Sequence, residues 1–90
     1  MDEARLMGNG ILRYSTGDHN GWWCQIDARS DPAHQFGGKW SAWAWTTPIR
    51  SFAEFAARAN FDTPEEALAT LNSWLEPQGL RVLPPEGGFR

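Results

Sequence analysis

Five of the six tryptophans fall between Trp22 and Trp45. Each large aromatic ring brings roughly 150–250 Å² that must be covered. A 90-residue chain buries only about 60–70% of the surface its unfolded form exposes. The tryptophans therefore decide what the core is made of and which surface is left over. Val occurs once, as Val82, so aromatics and Ala replace the usual β-branched core. Length predicts a single small domain over 1–90.

Alternation places the rings. Trp22 to Arg29 reads as the clearest strand, with Trp22, Cys24, Ile26 and Ala28 on one face and Trp23, Gln25, Asp27 and Arg29 on the other. Ile11–Thr16 reads as a strand before it, joined through the turn signal Gly17-Asp18-His19-Asn20-Gly21. Lys39–Thr47 reads as a third, with Trp40, Ala42 and Ala44 on one side and Trp43 and Trp45 on the other. Trp22 and Trp40 are thereby assigned to the inner face. Trp23, Trp43 and Trp45 share the other, where either a helix or a partner covers them.

Beyond Pro48 the pattern turns helical. Ser51-Phe52-Ala53-Glu54 fits a capping box, and Phe52, Phe55, Ala56 and Ala59 follow an i, i+3, i+4, i+7 stripe. A short helix over 52–59 is predicted, although the same residues also tolerate a strand reading. Thr63-Pro64-Glu65-Glu66 is a second capping box with Pro at the first helical position. The helix it opens carries the stripe Ala67, Leu68, Leu71, Trp74 and Leu75, and stops at Pro77 and Gly79. Leu80–Leu83 is a possible final edge strand, and 1–8 and 84–90 read as loose tails. The predicted fold is α+β: a three-stranded antiparallel sheet against a short helix and a longer C-terminal amphipathic helix.

Charge is uneven. Residues 1–50 hold five acids and five bases; residues 51–90 hold six acids and three bases, giving the net −3. The chain lacks the basic excess that phosphate binding uses. No apolar run approaches the roughly 18 residues of a membrane span, and the N-terminus lacks a basic region followed by an apolar run. A lone Cys24 permits no intrachain disulfide and points to a reducing cytoplasm.

Enzyme chemistry finds little support. Cys24 with His19 or His34 is the one nucleophile–base combination. Cys24 lies between Trp22 and Ile26 on an apolar face, where a free thiol acts as a small hydrophobe. Two His, one Cys and scattered acids lack zinc-ligand spacing. Gly8-Asn9-Gly10 fails the dinucleotide pattern at Arg13, and Gly37-Gly38-Lys39 lacks P-loop spacing. Glu65 and Glu66 already have a structural duty at a helix start. No catalytic residue, metal or cofactor is expected.

Phe61-Asp62-Thr63-Pro64-Glu65-Glu66-Ala67-Leu68 resembles the helix start that follows the three-stranded sheet of plant ethylene-response DNA-binding domains and of tyrosine-integrase arm-binding domains. That resemblance implies DNA reading by strands bearing Trp and Arg, with Trp23, Arg29, Trp43 and Trp45 in those positions. The short, acidic, single-cysteine chain is also similar, as a class, to small accessory proteins of phages and mobile elements, anti-CRISPR proteins included. This similarity implies occupation of a surface on a host protein or ribonucleoprotein complex. The expected contact set is Trp23, Trp43, Trp45 and Arg29, since Trp and Arg are enriched at binding hot spots, with Asp62, Glu65, Glu66 and Glu76 facing a basic partner. A DNA- or RNA-binding domain on the Trp/Arg face is the alternative, and a homodimer would use the same face.

Overall fold

The computed structural model describes residues 1–28, 37–46 and 55–89. Its elements are β1 (Asp2–Arg5), β2 (Met7–Gly8), β3 (Arg13–His19), β4 (Trp22–Ala28), β5 (Trp40–Thr46), β6 (Phe55–Phe61), α1 (Pro64–Leu75), one 3-10 turn (Glu76–Gln78) and β7 (Leu80–Leu83). β2 to β6 form a five-stranded antiparallel sheet in chain order, and β1 pairs with β7 in a two-stranded parallel sheet. The predicted three-stranded sheet with two helices is thus corrected to a mostly β fold with one helix.

The centre is the β4–β5 ladder. It is in register from Trp22↔Thr46 to Ala28↔Trp40, so Cys24 faces Ala44 and Ile26 faces Ala42. These four are fully buried. Asn20 and Gly21 join β3 to β4, both at positive φ (53° and 85°), which matches the twist a two-residue hairpin needs. Thr16 and Gly17 together oppose Cys24, a bulge that shifts register between Ser15 and Asp18. Gly17 takes φ 67° there, and the Thr16 hydroxyl accepts the Cys24 N–H at 3.2 Å.

Residues 55–59 of the predicted 52–59 helix belong instead to a strand, Phe55–Phe61, paired with β5. Its Ala content favours a helix, but an isolated helix this short is marginal, whereas the edge of β5 supplies a full ladder. Asn60 at φ 76° marks the register shift near its end. The capping box at 51–54 lies outside the described residues.

The lead-in is also structured. Ala4 and Leu6 are buried, with Asp2, Glu3 and Arg5 turned out to solvent. The tail after β7 is held by Phe89, which meets Tyr14 edge-on (5.1 Å, 89°) and Trp40 at 6.1 Å. The predicted strand at Leu80–Leu83 is present, though paired parallel with β1 (Ala4↔Val82) rather than with the main sheet.

α1 begins as its sequence dictates. The Thr63 hydroxyl accepts the Glu66 N–H at 3.2 Å, and Glu66 reaches back to the Asp62 N–H at 3.4 Å. Ala67, Leu71 and Leu75 are buried in one cluster with Leu6, Cys24, Ile26, Ala42, Ala44, Phe61, Leu80 and Val82. One side of β7 faces β1. On its other side the Asn72 amide takes both backbone groups of Val82: Nδ2 donates to the carbonyl at 3.0 Å, and Oδ1 accepts the N–H at 2.7 Å. Asn72→Ala strands both groups of the buried Val82. We expect a loss of about 2–3 kcal/mol in urea unfolding; a change below about 0.5 kcal/mol would show that β7 needs no such clamp.

Candidate functional site: the outer face of the sheet

Strand parity sorts the tryptophans. Trp22 and Trp40 pack against the core with Tyr14, Leu68 and Trp74. Trp40 also stacks on Tyr14 (6.3 Å, 27°). Trp23 pairs with Trp45 and Gln25 with Trp43 across the ladder, so these rings emerge on the face opposite the helix. Trp23 and Trp45 stack at 5.9 Å with planes 17° apart. All three outer tryptophans are half-buried.

The polar groups around them are ordered. Asp27 accepts the Trp43 indole N–H at 3.3 Å through one oxygen and the Gln25 amide at 2.9 Å through the other. Arg13 stands beside Asp27 in the ladder. Ser15 and Ser41 are buried on this face, and the Ser15 hydroxyl accepts the Asn9 amide at 3.3 Å. The Trp23 indole N–H is buried without a hydrogen-bond partner among the described residues. Such an orphaned donor costs about 1–3 kcal/mol. Gln25 and Asp27 were not among the expected site residues, although their parity with Trp23 is visible in the sequence.

The acidic half of the expected site lies elsewhere. Asp62, Glu65 and Glu66 sit at the start of α1, on the helix layer. Asp62 pairs with Lys39, Glu66 is turned to its own backbone, and Glu76 stands 3.7 Å from Arg81. Glu65 is exposed. The structure therefore brings Trp23, Trp43 and Trp45 together and does not bring the acids to them. Arg29 lies outside the described residues. The short helix that stood as one of two covers for the three rings is replaced from Phe55 onward by an edge strand of the same sheet.

Cys24 is fully buried on the inner face. Burial pushes its thiol pKa from 9.0 up to about 12, against a smaller opposing effect of the Thr16 hydroxyl. His19 is engaged with Asp2 at 3.0 Å, and Asn20 bonds the same carboxylate. His34 lies outside the described residues. Among the described residues, no three His, Cys, Asp or Glu side chains are grouped to hold a metal. No helix there is long and apolar enough to cross a membrane.

Comparison with known protein families, curated proteins and solved structures gives no match for this chain.

A thiol held in the core has two measurable consequences. At pH 8 the native protein should react with a thiol reagent only as fast as it unfolds; rapid labelling without denaturant would place Cys24 at an accessible site. The unfolded thiol loses its proton near pH 9 and the folded one near pH 12. Stability should therefore fall between those values, at up to about 1.4 kcal/mol per pH unit.

Proposed function

We propose that this chain is a small non-enzymatic binding module that grips another protein through the outer face of its sheet. The observation that carries the reading is the stacked Trp23–Trp45 pair beside Trp43. Three large aromatics stand on the face the helix does not cover, among oriented polar groups and beside Arg13. Aromatic anchors with a polar surround are the usual make-up of an interaction hot spot.

The narrower role expected from the sequence, blocking a nucleic-acid-handling host complex in the anti-CRISPR manner, is one form of this module. The net charge of −3 and the exposed Glu65 support it. Because the acids occupy the helix layer, such a partner would meet either the aromatic face or the acidic one, and we assign the grip to the aromatic face. The buried single thiol suits a reducing cytoplasm.

The test is affinity capture from a lysate of the encoding organism, with wild type beside Trp45→Ala. A protein held by wild type and lost from a folded Trp45→Ala supports the proposal. The same proteins, or none, recovered by both would sink it. Labelled DNA or RNA oligonucleotides at about 50 mM salt, where phosphate contacts are strongest, should not shift; a shift that weakens with added salt would favour the nucleic-acid reading.

A further inference from the structure

The outer face of the sheet carries a pattern that fits its own rotated copy. Side chains of cross-strand partners share a face, and the register sorts this one into three rows. The middle row runs Met7, Ser15, Gln25, Trp43 and Ala57. Two residues to one side lie Arg13, Asp27 and Ser41. Two residues along β4 and β5 to the other side, past the bulge in β3, lie Asp18, Trp23 and Trp45. The flanking rows are opposite in charge on β3, with Arg13 at one end and Asp18 at the other. They are opposite in height on β4 and β5, where Asp27 and Ser41 are short and Trp23 and Trp45 are tall.

The groups that matter are within reach of a partner. Arg13 and Asp18 are both exposed. Asp18 gives one carboxylate oxygen to the Gly21 N–H at 3.0 Å, and among the described residues neither side chain is held in an ion pair. Met7, at the β2 end of the middle row, is 69% exposed. The three tryptophans are half-buried, which leaves roughly 75–125 Å² of each still to cover. Asp27 pins the Gln25 amide and the Trp43 indole, so the centre of the face is ordered before anything binds, and little rotamer freedom is lost there on association.

We propose, resting on the outer face as the gripping surface, that the protein it grips is a second copy of this chain, stacked outer face to outer face. The two-fold axis lies between the two sheets along the middle row, at right angles to the strands, and it exchanges the flanking rows. Such an interface is isologous, so every contact is made twice. Arg13 of each copy meets Asp18 of the other. Trp23 and Trp45 of each copy rest over the low row of Asp27 and Ser41, while Trp43 and Met7 meet their counterparts near the axis. Tall side chains over short ones let two sheets close to the roughly 10 Å spacing of a sandwich. Charge selects the same occupant. A face with a cation at one end and an anion at the other suits neither a polyanion nor a uniformly basic surface, and the rotated copy answers both ends at once.

The experiment is sedimentation equilibrium of the whole chain, from about 10 μM to about 1 mM. A monomer–dimer equilibrium should appear and weaken with added salt. Arg13→Glu alters an exposed side chain, sets like charges at both contacts, and should weaken dimerisation about tenfold or more. Asp18→Asn keeps an acceptor for the Gly21 N–H, loses the charge, and should weaken it severalfold. A folded Trp45→Ala should weaken it about tenfold or more, and Glu65→Gln, on the helix layer, should leave it unchanged. A chain that stays monomeric throughout, or dimerisation unchanged in Arg13→Glu or in Trp45→Ala, would overturn the proposal. The wider reading fails separately. A monomer that still captures a lysate protein through Trp45 overturns the second copy and leaves the binding module standing.

Discussion

Everything in this fold hangs on the register of β4 against β5. A strand sends successive side chains to opposite faces, and a one-residue slip would exchange those faces. With Cys24 opposite Ala44 and Ile26 opposite Ala42, the small buried groups meet the helix. The large rings Trp23, Trp43 and Trp45 are then committed to the other side. The Ala residues matter as much as the Trp residues. They leave room for Leu71 and Leu75 to approach the sheet, and all of them are essentially inaccessible to water.

The remaining strands are attached to that ladder by different devices. The hairpin to β3 is closed by Asn20 and Gly21, and Asp2 ties the N-terminal strand to it through His19 and Asn20. β7 has its open side filled by the Asn72 amide. β6 carries Arg58 lying over the Phe61 ring at 5.5 Å and a left-handed Asn60; charge and irregularity at an edge both discourage strand addition.

Much of this was legible locally. Trp22–Ala28 alternates cleanly, and its parity with Trp40–Thr46 sorted the tryptophans into two sets. Thr63 and Glu66 announced α1. Phe55–Phe61 was legible only as helix or strand, because its Ala-rich pattern suits a helix and only the edge of β5 decides for a strand. The N-terminal strand hid behind Asp2, Glu3 and Arg5, and its partner β7 lies at the other end of the chain. The acids misled for a related reason. Their clustering is visible in the sequence, but their engagement with Lys39, Arg81 and the helix start exists only in three dimensions.

The central claim is that the inner tryptophans hold the fold and the outer ones are available to a partner. Comparing the unfolding free energies of Trp40→Ala and Trp45→Ala tests it most directly. Trp40 packs on Tyr14, Phe89 and the core, so its loss should cost about 3 kcal/mol or more. Trp45 gives up its stack on Trp23, worth about 0.5–1.5 kcal/mol beyond the area it buries, and no contact with the core cluster, so its loss should cost clearly less. Equal losses for the two variants would make the outer face part of the structural core and contradict the account.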